Sequence, residues 1–320
     1  TCGGDFYDGV VGVGSGAPGM PGYAFLAAAG TLVGGRMGIL PRLVLIFAVP
    51  IGAYGMGRLL RDVVSNRARL FGALSYLALP LGVNLIQNGR LDTLVLFAGL
   101  PYVLRRIFAL LDVEGFRAYP YEEPRPFGSR NWGRTRAGQI AKLVMISSIL
   151  TAFDPASLVI LTLVVVGLMV ASRVGVIRPL EMAWRTLGQI IIGVSFLLLP
   201  MALDFAAAGR RSLELFGLPL APWTSSNVWD IVKTSNGVFG HGVTGWIVPV
   251  LAVAPFIFAR GDRRRLTGLF GIIAALAVAM GVLVVRHLSG PFAPDLDSVL
   301  VAVGLSLSSL VAVTVASLEE

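Results

Sequence analysis

The sequence predicts an all-α fold: a polytopic transmembrane helix bundle of about nine spans, with a re-entrant or interfacial helix near the N-terminus. Three observations carry this reading. The 320 residues are 55% hydrophobic and only 14% charged, with a mean hydropathy of +0.79. A soluble domain is about one-quarter charged, so this chain has too little polar material to coat a water-exposed core. Its apolar residues also come in blocks near the ~20 residues that a helix needs to cross the hydrocarbon layer. Finally, its basic residues fall between those blocks in alternate loops.

Residues 1–38 open with Gly3-Gly4-Asp5-Phe6-Tyr7-Asp8-Gly9 and the glycine-rich run from Gly12 to Gly19. The apolar stretch 22–33 is too short to cross and is flanked by Gly and Pro, which predicts a helix lying on or dipping into an interface. Spans are then expected at 39–61, 67–89, 92–113, 137–153, 155–172, 186–205, 244–260, 265–286 and 298–317. Turn signals separate them, such as Asn88-Gly89-Arg90, Phe153-Asp154-Pro155 and Ser289-Gly290-Pro291. The linker 114–136, with Pro120, Pro124, Pro126 and Trp132, reads as an interfacial loop, and 178–189 repeats its flavour. This divides the chain into an outer segment, 1–38, and one membrane domain, 39–320.

Charge orients the bundle. Placing linkers 58–69, 105–142, 173–185 and 260–265 in the cytoplasm puts 19 of the 26 basic residues there. Residues 1–38 then lie outside, which predicts a further span upstream of Thr1. The expected location is the plasma (inner) membrane, multi-pass. The net charge of +8 does not indicate nucleic acid, because the arginines form no patch interleaved with aromatics. One cysteine, Cys2, excludes an internal disulfide. Two histidines, His241 and His287, provide no metal cluster. A divalent cation held by loop carboxylates is compatible with the sequence but not required by it.

Candidate chemistry falls at the outer ends of the spans. Asp5 and Asp8 sit beside a glycine-rich turn, where a carboxylate can serve as general base to an acceptor hydroxyl. Taken alone, the segment reads first as a solvated loop with ordinary Asp turn formers. Arg90, in Gln87-Asn88-Gly89-Arg90-Leu91-Asp92, can bind phosphate bidentately, snorkel to headgroups or pair with Asp92. Asp154 before Pro155 reads as a helix stop and N-cap. The loop 206–243 carries Arg210, Arg211, Trp223, Trp229 and His241, a mixture that fits either a sugar-diphosphate grip or an aromatic belt.

Four stretches carry a resemblance to a known family: Gly12 to Tyr23, Ala73 to Pro80, Gln87 to Leu91, and Leu198 to Pro200 before the long outer loop. In this order, from about residue 9 to 285, the chain resembles the polytopic GT-C glycosyltransferases of actinobacteria. These are arabinofuranosyl- and mannosyltransferase-like proteins of cell-envelope synthesis, some fused behind a soluble glycosyltransferase domain. The resemblance implies a polyprenyl-phosphate sugar donor, an envelope glycan or lipid acceptor, and a catalytic carboxylate in the first outer loop, where Asp5 and Asp8 stand. It further implies Arg90, with Arg210 and Arg211, as donor-phosphate contacts, and Trp223, Trp229 and His241 in the acceptor loop. The family's span before that loop and its carbohydrate-binding tail have no counterpart in this sequence. Other classes compatible with the sequence are a transporter or flippase for a lipid-linked glycan, and a non-catalytic membrane subunit of an envelope complex.

Overall fold

The computed structural model describes residues 21–32, 39–111, 113, 136–172, 180–199, 203, 227–240, 242–286 and 294–319. The described residues are helical, with no strand among them. The helices are α1 (Pro21–Leu32), α2 (Ile39–Leu59), α3 (Asn66–Leu77), α4 (Pro80–Gln87), α5 (Leu91–Leu110), α6 (Arg136–Phe153) and α7 (Ser157–Ser172). They continue with α8 (Leu180–Leu197), α9 (Val228–Val232), a 3-10 turn (Val243–Trp246), α10 (Ile247–Val253), α11 (Pro255–Phe258), α12 (Gly261–Val285) and α13 (Leu296–Leu318).

Five stretches are long and apolar enough to cross a membrane: Pro41–Leu59, Asn66–Gln87, Leu91–Leu110, Gly261–Val285 and Leu296–Leu318. They make this a membrane protein. Ser157–Ala171, Ala183–Leu197 and Val243–Phe258 are apolar but shorter.

The last helix is the axis of the bundle. About nine-tenths of its apolar stretch is buried (89%), against 39% for α2 and for α12, so protein surrounds α13 while the others turn a face outward. It packs against α3, α4, α5, α7, α9, α10, α11 and α12. Buried hydroxyls on such a helix are best satisfied within the protein, and on α13 most are, Ser308 being its exception among the described residues. Ser306 and Ser309 donate to the carbonyls of Ala302 and Leu305 one turn back, at 2.9 Å each. The outward faces are correspondingly apolar: Ile46, Phe47 and Ile51 on α2, Phe71 and Leu74 on α3, and Phe256 and Ile257 on α11 are exposed.

Prolines interrupt several helices, and the bundle repairs the damage with hydroxyls. A proline inside a helix cannot donate to the carbonyl four residues earlier. Pro101 in α5 therefore frees the carbonyl of Phe97, and Tyr76 of α3 donates its phenol to that oxygen at 2.8 Å. The two rings stack at 4.2 Å, so one side chain serves both packing and hydrogen bonding. Pro255 likewise denies the carbonyl of Leu251 its usual donor; the N–H of Ala254 reaches that oxygen at 3.3 Å, and Thr314 of α13 donates to it at 2.9 Å.

Two expected spans are not continuous helices. The segment 67–89 breaks between Leu77 and Pro80, because Pro80 starts a new helix at its first turn. The segment 244–260 divides into a 3-10 turn, α10 and α11, with Pro249 inside α10 and Pro255 opening α11. Helices lie at the other expected positions, α2, α5, α6, α7, α8, α12 and α13, to within a few residues, α8 excepted, which begins and ends earlier than 186–205; of these only α2, α5, α12 and α13 are among the five stretches long and apolar enough to cross, against the nine expected.

Helix direction sorts charge between the two ends. Arg105 pairs with Asp62 at 3.0 Å, Arg106 donates to Gln139, and Arg263 donates to the carbonyl of Ala316. These contacts join the ends of α2, α5 and α13 to the starts of α6 and α12, at one basic end.

Candidate functional site

The opposite end gathers the acids. Helices α5, α7 and α13 all begin there, and each has carboxylates at or before its first turn: Asp92 on α5, Asp154 ahead of α7, and Asp295 and Asp297 on α13. Carboxylates are favoured at helix N-termini, where unpaired N–H groups and the helix dipole present positive charge. Bundling three such termini side by side concentrates four carboxylates.

Arg90 lies among them. As the residue preceding α5, it reaches Asp92 at 3.4 Å and Asp297 at 3.3 Å, and its guanidinium also pairs with Asp295. The cluster is largely shielded. Arg90 is 20% exposed, Asp92 and Asp295 are each 16% exposed, and Asp297 is 5% exposed. Burial pulls the Arg90 pKa down, but Asp92, Asp297 and Asp154 outweigh it and hold the guanidinium above its ordinary value.

A loop from Lys233 to Gly240 covers one side of the cluster. Asn236 donates to Asp297 at 2.6 Å. Asn84 of α4 grips the same loop through a paired contact. Its amide donates to the carbonyl of Phe239 and accepts from the N–H of Phe239, both at 3.0 Å. Ser235 donates to that carbonyl as well, at 2.6 Å. Thr234, fully buried, has a φ of 53°, and Gly240 has a φ of 95°. A β-branched residue in the left-handed region is costly, so the tight loop depends on these bonds. Gly240 also lies against Pro80: a Cβ added at Gly240 would come within 2.7 Å of the proline ring, so the loop seats on the α3–α4 break.

Asp154 is the deepest acid on the hairpin side. It is 5% exposed, accepts from the N–H of Ala156 at 2.9 Å and accepts from Ser298 of α13 at 2.6 Å. The first bond is the turn-forming role that Asp-Pro predicts. The second ties the α6–α7 hairpin to the central helix.

Of the candidates read from sequence, the structure brings Arg90 into this cluster. Trp229 stands apart from it on α9, 62% exposed, with its ring 5.7 Å from that of Trp246. Lys233 lies over the Trp246 ring at 5.2 Å, and Asp230 accepts from the N–H of Asn227 to cap α9. An exposed tryptophan and a half-buried one beside a lysine suit a membrane–water interface. Asp5, Asp8, Arg210, Arg211, Trp223 and His241 lie outside the described residues. No group of three or more metal-ligating side chains with suitable placement occurs among the described residues.

Sequence reasoning passed over Asp295, Asp297, Ser298, Asn236 and Asn84. A signal existed in Asp295-Leu296-Asp297, two carboxylates opening the most buried of the five long apolar stretches described, but its burial is a tertiary property. Comparison with family models, with curated proteins and with solved structures returned no match.

Proposed function

We propose that this chain is a membrane glycosyltransferase that moves a sugar from a polyprenyl-phosphate donor to an envelope glycan or lipid acceptor at the outer face of the plasma membrane. The observation supporting it is a charged cluster of Arg90, Asp92, Asp295 and Asp297 at one end of an apolar bundle. The arginine distribution assigns that end to the outside. A polyprenyl donor keeps its tail in the hydrocarbon and its phosphate at that level. In this reading α6, α7, α8 and the interrupted segment 243–258 cross the membrane with the five longer stretches, giving nine spans.

The transfer balances as follows. The acceptor hydroxyl forms a bond to the anomeric carbon, the bond from that carbon to the donor phosphate oxygen breaks, and the hydroxyl proton passes to Asp5 or Asp8. Polyprenyl phosphate leaves carrying the electron pair. Arg90, helped by Arg210 and Arg211, stabilises it by exchanging a carboxylate partner for the phosphate. Trp223, Trp229 and His241 line the acceptor side.

The experiment uses membranes containing the chain, a radiolabelled polyprenyl-phosphoryl sugar and an envelope acceptor fraction. Label should move to the acceptor, and the Asp5→Asn, Asp8→Asn double variant should lose transfer while inserting normally. Full activity in the double variant would sink the mechanism.

A transporter or flippase for a lipid-linked glycan is the second reading. It is favoured by the two interrupted segments, α3–α4 and 243–258, since broken helices beside polar groups are a common way of building a transport site. Proteoliposomes separate the two readings: movement of the labelled lipid between leaflets, with no acceptor present, is expected only of a transporter.

A further inference from the structure

Asp154 is a buried titratable group that the transfer chemistry leaves unused. The charges around it are countable. Helix α5 brings Arg90 and Asp92 to this end, and α13 brings Asp295 and Asp297. Helix α1, which packs on the hairpin tip, carries no charged residue. Helix α8 has Arg185 near its opposite end. Helix α12, packed on α7, has Arg286 just past its last turn at this end.

Among the described residues, Arg90 makes ion pairs with Asp92, Asp295 and Asp297, and Asp154 receives only the Ser298 hydroxyl and the Ala156 N–H. Three carboxylates thus share one guanidinium in a shielded site, and the fourth, Asp154, makes no ion pair with it. The acid without a cationic partner is the one where a proton removes the most unfavourable charge.

We propose that Asp154 is a proton-binding site that fastens the α6–α7 hairpin to α13 when loaded and loosens it when ionised. A neutral carboxyl keeps both contacts: its carbonyl oxygen accepts from Ala156, and its hydroxyl donates to Ser298. The ionised form also accepts both, but leaves an uncompensated charge between hairpin and axis. Burial pushes the Asp154 pKa up to about 6, with Asp92 adding to the rise and Ser298, Ala156 and Arg90 opposing it. Occupancy therefore changes between mildly acidic and neutral conditions. The inference concerns the hairpin alone and holds whether the chain transfers or transports.

The test uses the full chain in lipid nanodiscs. Infrared difference spectra between about pH 5 and about pH 7.5 bracket the titration. A protonated-carboxyl band should appear on the acid side and be lost in Asp154→Asn. Hydrogen exchange over residues 147–160, corrected for the intrinsic pH dependence, should slow on the acid side in the parent and show no pH step in Asp154→Asn. Should that variant fail to insert, Ser298→Ala keeps the question open to measurement. It removes a bond that favours the anion, so the band's midpoint should move upward by about one pH unit. A band left undiminished by Asp154→Asn, a parent hairpin with no pH step, or an unmoved midpoint in Ser298→Ala would overturn the proposal.

Discussion

Arg90 and Asp154 show how differently two charged residues at one end of a bundle can be used. Arg90 has more partners than it needs. Its fork of N–H groups is shared among three carboxylates on two helices, so any phosphate that binds there must compete with them. Asp154 has too few. Its stability contribution can be signed: the folded pKa of about 6 lies above the ordinary carboxylate value of ~3.9, so the folded chain holds the proton more tightly than the unfolded one. The contribution is full below about pH 4 and is lost as pH rises through about 6. Asp154→Asn stays neutral throughout. The stability of the parent minus that of this variant should thus fall by ~3 kcal/mol from about pH 4 to about pH 7.5, measured by unfolding in detergent at each pH. A flat difference would mean that the carboxylate does not retain its proton.

Among the elements, the proline-bearing helices are held by side chains from their neighbours. The Tyr76 phenol is directed at the carbonyl that Pro101 leaves without a backbone donor. Loss of the hydroxyl in Tyr76→Phe leaves a buried carbonyl unpaired and should cost about 1–3 kcal/mol. Replacement of Pro101 by Ala restores a backbone N–H at that position, so Tyr76→Phe should cost much less in the Pro101→Ala background. A double-mutant cycle in detergent reads the coupling directly. Additive effects would show that the phenol does not compensate for the proline. The loop 233–240 is another borrowed structure. Its shape, with buried Thr234 at positive φ, rests on Asn84, Ser235 and Asn236 more than on its own backbone.

At the scale of the molecule, the two ends of the bundle differ in charge: carboxylates gather around Arg90 where α5, α7 and α13 begin, and arginines gather where α2 and α5 finish and α12 begins. The positive-inside rule predicts that the acidic end faces outside. Single cysteines in a Cys2→Ser background test this. Val238→Cys, 81% exposed at the acidic end, should react with an impermeant thiol reagent in right-side-out vesicles. Arg264→Cys, at the start of α12, should react only in inverted ones. The opposite labelling pattern would reverse the orientation. Much of the helical order was legible in the sequence, because a membrane span is a local property: a run of apolar side chains satisfies its own backbone and declares itself by length and composition. The arginine loops were legible for the same reason. Arg90 stood out as a charge at a turn, and Asp154 as a helix stop. Which acids would meet was not legible, because Asp92, Asp154 and Asp297 are far apart along the chain and each alone is an ordinary helix-starting residue. The packing of the N-termini of α5 and α7 against that of α13 decided that Asp92, Asp295 and Asp297 share one arginine, that Asp154 is buried without an ion pair, and that Ser298 ties it to the axis. Burial and charge balance arise only when the helices come together, and these decide which carboxylate holds a proton.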